Sequence, residues 1–495
     1  MTAYLRDYKF IVFLACIKFI FFGLFVVLPW SNPDEIGHYS YIREVGSGNF
    51  LPTHGIGQLD PSAMRSQFGN APSRMNWILG HPPLYYYILS PFSFLTSKLT
   101  TDAISILLIL RVVNAFLSGL GLFFLGLATR RLTNSASATL FTIAVVAFSP
   151  LYVSLSGGLS NDIAVFTFCS LAAWFLVESL SREDLRLDFG VLAALSAASL
   201  SKTTAAPLLI GALSVILLRK FMRGNLSLRY IGVAALAVAP LAVWHAVGFF
   251  RYGNLVRLGS LRTETVYSTS SFSIWRFFTD VNFVDTLVST FYGFMWLVTD
   301  KVRMVTRPQG EILSVYAFTL CLLLLLPFVF AVFRFSPVRR NIIGNIFILL
   351  SLLISFFVAY KIKTDYISVR IFIFMIIAVA MIFCSCFLDA VKSNEKFEIF
   401  VILSFCSFVG ILILSFISFY NVFLIYGEPR ALHGRYLYGV APFLIVSIAG
   451  IINKFDKSSL FFTLVFVFFT FTESLYWSRL AVPSYTLFEL RKSLF

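Results

Sequence analysis

Apolar stretches of about twenty residues recur from one end of this 495-residue chain to the other, and no other feature restricts its fold so severely. Inside a bilayer every backbone amide and carbonyl must find its partner within the protein, so such stretches become helices. The chain is 58% hydrophobic and 13% charged, which excludes the soluble globular classes. No Gly/Ser/Pro-rich linker and no long polar block interrupts the pattern. The expectation is an all-α, polytopic helical membrane protein forming one transmembrane domain over residues 1–495, with no soluble domain.

The first apolar run, residues 10–28, follows Arg6 and Lys9. It is too long for the apolar core of a secretory signal, and no small-x-small cleavage site follows it. A retained span with a cytoplasmic N-terminus is expected. Basic clusters at Arg130-Arg131, Arg219-Lys220-Phe221-Met222-Arg223, Arg339-Arg340, Lys392/Lys396 and Lys454/Lys457 then mark cytoplasmic loops. Spans fitted between them run roughly 10–30, 104–128, 136–156, 163–180, 189–201, 203–219, 228–249, 311–334, 341–360, 367–390, 397–423, 436–453 and 458–476. That makes about thirteen transmembrane helices, with the C-terminus outside.

Two shorter apolar segments, 84–97 and 286–299, are rich in Tyr, Phe and Trp. Counting either as a crossing would move the basic clusters to the outer face. Both are therefore expected as interfacial helices, in a first outer loop opening with 31–83 and a middle outer loop, 250–310. The six cysteines all fall inside apolar runs, and Cys384-x-Cys386 projects to different helix faces, so neither a disulfide nor a metal site follows.

The outer side so defined carries all five histidines (His38, His54, His81, His245 and His433) and many basic residues. Long loops escape the charge rule, but the short outer loops 361–366 and 424–435 still hold Lys361, Lys363, Arg430 and Arg435. An anionic ligand at the outer face accounts for that placement; plain loop solvation is the alternative.

Chemistry is sought first at Asn32-Pro33-Asp34-Glu35, where the first span leaves the bilayer. Two adjacent acids at a membrane boundary are costly to hold ionised unless something uses them. The same residues also make a good helix start, with Asn32 as cap, Pro33 at the first helical position and acids in the first turn. His38 lies four residues beyond Asp34, on the same helix face. In His81-Pro82-Pro83-Leu84 the prolines favour a helix start at 83, and the histidine is placed to meet a phosphate or a sugar. Ser160-Asn161-Asp162 reads first as a helix cap. Lys202, between two apolar halves, must snorkel or find an anion. Gly434-Arg435-Tyr436 opens a span from outside, so Arg435 can hold a lipid-linked phosphate or act as an ordinary interfacial anchor. There is no Walker-type loop, no His-Glu-x-x-His, no nucleophile elbow and no Cys/His metal spacing.

Pro33-Asp34-Glu35, His81-Pro82-Pro83-Leu84, Ser160-Asn161-Asp162, Leu200-Ser201-Lys202-Thr203 and His433-Gly434-Arg435-Tyr436 together resemble the C-type membrane glycosyltransferase superfamily. Within it the likeness is to the protein O-mannosyltransferase and lipid A aminoarabinose transferase branch. Beyond residue 240 the pattern matches only at Gly434-Arg435-Tyr436.

That resemblance implies an inverting transfer from a polyprenyl-phosphate sugar at the outer face of the cytoplasmic membrane. It implies Asp34 as general base, Glu35 orienting the sugar or the base, and His38, His81 and Tyr436 lining the substrate site. Lys202, Lys363 and Arg435 are the candidates for the departing phosphate. The acidic metal motifs of the oligosaccharyltransferase branch cannot be placed, so no metal and no cofactor is expected; the lipid-linked sugar phosphate is a substrate. With no soluble outer domain to grip a folded protein, the expected acceptor is a glycan or lipid-linked glycan of the cell envelope, such as an O-antigen. Membrane lipid is the other partner, and nucleic acid is not one. Two rival classes remain. An O-antigen polymerase or ligase would use a pyrophosphate-linked donor and depend on arginines. A lipid-linked sugar transporter would carry midplane polar groups and internal repeats.

Overall fold

The computed structural model describes residues 2–53, 56–69, 71–182, 184–252, 395–426 and 434–454, together with the isolated positions 463, 470 and 473. Within them the chain is helical, and the only β pairing is a single bridge between Gln58 and Met75. Helix α1 (Thr2–Phe21) runs into a π-helical turn, Phe22–Val26, and then opens. Three short helices follow: α2 (Glu35–Gly46), α3 (Pro61–Phe68) and α4 (Leu84–Ser97). A 3₁₀ turn, Trp77–Gly80, sits between the last two.

The bundle is built from α5 (Ala103–Thr133), α6 (Ala136–Ala147), α7 (Pro150–Ser156), α8 (Asn161–Ser181), α9 (Leu185–Ser201), α10 (Ala206–Met222) and α11 (Leu228–Tyr252). Later in the chain come α12 (Lys396–Tyr426), a 3₁₀ turn Gly434–Gly439 and α13 (Ala441–Ile452).

Five stretches among the described residues are long and apolar enough to cross a membrane: Tyr8–Val26, Ala103–Thr133, Asn161–Ser181, Thr203–Met222 and Leu228–Arg251. The span expected at 136–156 is instead broken into α6 and α7, which meet at 69°. Pro150 is the cause, since it has no amide to donate and holds Ser149 extended. Lys18 of α1 fills the gap, donating from Nζ to the Ala147 carbonyl at 3.0 Å and pairing with Glu473 at 2.6 Å. The expected span 436–453 is likewise not one helix, because its first turn is 3₁₀ and α13 begins only at Ala441, with Pro442 in its first turn. The expected spans 311–334, 341–360 and 367–390, and the interfacial segment 286–299, lie outside the described residues, as does nearly all of 458–476.

Two apolar cores organise these helices. The larger joins α1, α5, α6, α8, α9, α10, α12 and α13. A smaller one gathers Trp30, Ile36, Tyr39, Tyr41, Leu79, Tyr85, Tyr86, Leu107, Leu110 and Leu159 where α2 and α4 lie against the start of α5. The segment 84–97, short and aromatic, is therefore a helix that packs on α2 and α5. It is this second core that carries the candidate site. At the other end of α8 and α9, Asp188 accepts from the Ser179 and Tyr230 hydroxyls, with Lys220 Nζ at 3.8 Å.

Candidate active site

Asp34 and Glu35 are neighbours in sequence with opposite surroundings. Glu35 is 1% exposed, and Arg111 of α5 holds both its oxygens. Arg111 Nε donates to Oε1 at 2.9 Å and Nη2 to Oε2 at 2.8 Å. The same guanidinium collects the carbonyls of Gly23 (2.8 Å), Val27 (2.6 Å) and Leu28 (2.9 Å), left open where α1 unwinds. Glu35 Oε1 also accepts the Leu159 amide at 3.0 Å. One buried arginine thus ties the end of α1, the start of α2 and the loop before α8 into one frame. Arginine suits the task because its five donors lie in a fixed fork.

Asp34 sits inside that frame, half-buried, with φ 61° and ψ 10° in the left-handed region. Only three non-glycine residues among those described have positive φ, and two of them, Trp30 and Asp34, bracket this one loop. For a bulky tryptophan this is a genuine outlier, and strain of this kind collects where the surroundings over-determine the backbone. The surroundings here are specific. Asn32 is fixed by Ser154, donating to its carbonyl at 2.9 Å and accepting from its hydroxyl at 2.7 Å. Gly158 is required there, since a Cβ would fall 1.5 Å from Asn32 Nδ2. Trp30 Nε1 donates to Ser66 Oγ at 3.1 Å.

Asn32 therefore does not cap α2, and Pro33 is not its first residue, contrary to the helix-start alternative. The helix begins at Glu35 with Asp34 at the cap position, and the Asp34 side chain makes no capping hydrogen bond. Its Oδ1 instead accepts from Trp77 Nε1 at 2.9 Å. The 3₁₀ turn bearing Trp77 is fastened to α2 by Asn76, whose Nδ2 donates to the Gly37 carbonyl at 3.0 Å. Gly37 permits that approach, because a Cβ there would lie 2.5 Å from Ile78.

His38 follows Asp34 by one helical turn, its amide donating to the Asp34 carbonyl at 2.9 Å. Its Nδ1 lies 3.0 Å from the Tyr86 hydroxyl, and its ring is 6.4 Å from that of His81. Burial pushes the Tyr86 phenol well up from its usual range, helped by Tyr41, Tyr85, Asp34 and Asp162. Tyr86 therefore keeps its proton, and two acids from different elements act on one hydroxyl. His81 Nδ1 is 3.3 Å from Asn161 Nδ2, which also donates to the Ser201 carbonyl at 3.1 Å.

Next to Ser201 is Lys202, 4% exposed, with Nζ 2.6 Å from Asp162 Oδ1 and 4.8 Å from the centre of the Tyr436 ring. Lysine between two apolar halves has found its anion. Ser160 caps α8 as expected, its Oγ accepting from the Asp162 amide at 3.3 Å. The structure so connects Asp34, Glu35, His38, His81, Lys202 and Tyr436 at one end of the bundle. Lys363 lies outside the described residues, as do His54, His433 and the side chain of Arg435.

Sequence reading missed Arg111, Asp162 and Trp77. Arg111 had a signal, since a charge inside an apolar run demands a partner. Asp162 was explained away as part of a cap. Trp77 gave no signal at all. Among the described residues no group of three or more His, Cys, Asp or Glu side chains is placed to hold a metal ion.

Residues 80–247 match the family model described as dolichyl-phosphate-mannose-protein mannosyltransferase. No curated relative matches the chain. Among solved structures it is similar to ArnT from Cupriavidus metallidurans bound to undecaprenyl phosphate, with 12% identity, a TM-score of 0.38 and coverage of 91% of this chain and 77% of that one. A likeness that distant carries no ligand or mechanism across. The family match spans His81, Arg111, Asp162 and Lys202 but leaves Asp34 and Tyr436 outside it. Over residues 80–247 the chain thus resembles the C-type, polytopic membrane glycosyltransferases, as its motifs imply.

Proposed function

We propose that this protein is an inverting glycosyltransferase that moves a sugar from a polyprenyl-phosphate donor to a cell-envelope glycan at the outer face of the cytoplasmic membrane. One observation carries the reading: Asp34 occupies a helix-cap position in a strained backbone conformation, yet its carboxylate is not spent on the helix. A half-buried carboxylate that accepts from an indole N–H is suited to take a proton from an incoming hydroxyl.

In the proposed reaction Asp34 takes the acceptor's hydroxyl proton as that oxygen bonds to the anomeric carbon. The bond from that carbon to the phosphate oxygen breaks on the opposite face, and polyprenyl phosphate leaves with the electron pair. Cationic groups must meet the negative charge developing on the phosphate. Lys202 is already engaged by Asp162, so it serves the phosphate only by sharing that pair. Arg435 and Lys363 remain the stronger candidates, Arg435 foremost because its planar fork matches a phosphate. Glu35 holds the frame through Arg111, and His38 and His81 line the approach.

The test is transfer by purified protein in lipid nanodiscs supplied with short-chain polyprenyl-phosphate mannose, glucose or aminoarabinose labelled in the sugar, with an envelope glycan extract as acceptor. Labelled product with inverted anomeric configuration is expected. Use of pyrophosphate-linked donors alone would replace this reading with the polymerase or ligase class.

A further inference from the structure

We infer that Trp77 is the acceptor platform of this site and that its partner is the apolar face of a pyranose ring, so that the accepting hydroxyl belongs to a sugar. This rests on the reading of Asp34 as base. The two tryptophans beside Asp34 make the case by contrast. Trp30 is 7% exposed, bonds Ser66 and packs edge-on against Tyr39, as a structural indole should. Trp77 is 43% exposed although its neighbours Ile78 and Leu79 are 2% and 0% exposed.

Its N–H is already satisfied at 2.9 Å by Asp34, so the surface it shows belongs to the ring. Nor is it a loose side chain, since Asn76 ties its turn to α2 and accepts the Ile78 amide at 3.0 Å. An exposed aromatic surface is thus fixed at hydrogen-bond distance from the carboxylate that would take the proton. A pyranose has an apolar face of C–H groups and a rim of hydroxyls. Laid on the indole, it places a rim hydroxyl at the Asp34 edge. A serine or threonine side chain offers no such face.

The bond made is from that rim oxygen to the donor's anomeric carbon, and the bond broken joins that carbon to the phosphate. The hydroxyl proton passes to Asp34.

Two variants separate the roles of the indole. Trp77→Phe keeps an aromatic ring and removes the N–H; Trp77→Leu removes the ring. The first readout needs no turnover: saturation-transfer NMR of nanodisc-embedded protein with millimolar methyl glucopyranoside, mannopyranoside, galactopyranoside and rhamnopyranoside. Saturation of the C–H protons is expected for the native protein and for Trp77→Phe, and its loss in Trp77→Leu. With a donor that turns over, Trp77→Leu raises the acceptor KM on the order of tenfold, with donor KM unchanged. Trp77→Phe leaves acceptor KM in place and moves the acid limb of the rate profile to higher pH, because a carboxylate that loses a donated hydrogen bond takes a proton more readily. Equal pyranoside saturation in native and Trp77→Leu protein overturns the inference, whatever the donor assay shows. So does a blocked serine tripeptide that saturates in a Trp77-dependent way where the pyranosides do not, which would assign the platform to a peptide.

Discussion

Among the described residues four helices begin at an aspartate, and one of them uses it differently. At the start of α5, Asp102 has ordinary extended backbone angles, and its Oδ2 accepts the Ser105 amide at 2.8 Å and hydroxyl at 2.7 Å. Asp60 and Asp184 cap α3 and α9 in the same way. At the start of α2, Asp34 stands in the left-handed region, caps nothing with its side chain and accepts from an indole across the loop. The acids are chemically identical; the frame around them is not. Asp102 is held by its own helix, whereas Asp34 accepts from Trp77 and sits in a loop whose neighbours Glu35 and Asn32 are fixed by Arg111 and Ser154, from three other places in the chain in all. The first carboxylate is used by its own helix start; the second is not a side-chain cap of the helix it precedes.

The comparison breaks most visibly if the frame is removed. Arg111→Met leaves Glu35 as a buried, unpaired charge and opens three carbonyls, which should cost about 3–5 kcal/mol of stability. Thermal unfolding in nanodiscs measures it. A loss near zero would mean that the Glu35 pair does not hold the loop. Glu35→Gln is the milder cut, since the amide keeps the shape and can still accept from Arg111 or Leu159. We expect about 1.5–3 kcal/mol of destabilisation, with activity per folded molecule largely kept.

The smallest effect belongs to the ordinary cap. Asp102→Ala should cost about 0.5–2 kcal/mol and leave turnover unchanged. The Ser105 hydroxyl and amide hold the Asp102 carboxyl below its usual range. Its contribution is therefore present above about pH 4 and disappears as pH falls through the lowered folded value. Stability of native and Asp102→Ala protein should converge in strong acid.

The membrane class and some helix starts were legible because hydropathy and prolines act locally. His81-Pro82-Pro83 announced the start of α4 within one residue, and Ser160 the start of α8. The break at Pro150 was equally local, yet the apolar run on both sides hid it. The site was legible in its parts but not in its pairing. Lys202 plainly needed an anion; that the anion was Asp162, forty residues earlier, depends on α8 and α9 lying side by side. Arg111 was hidden by the apolar helix that carries it, and the bent segment 77–80 had no pattern to show that its indole would meet Asp34.

The central claim is that Asp34 does chemistry and Glu35 holds structure. The most direct measurement is turnover of a polyprenyl-phosphate sugar by Asp34→Asn, counted per folded molecule. Asparagine keeps the size, tolerates the left-handed backbone and can still accept from Trp77, but it cannot take a proton at neutral pH. We predict a fall of roughly 10²–10⁴-fold with stability nearly unchanged. Turnover at the native rate would contradict the account.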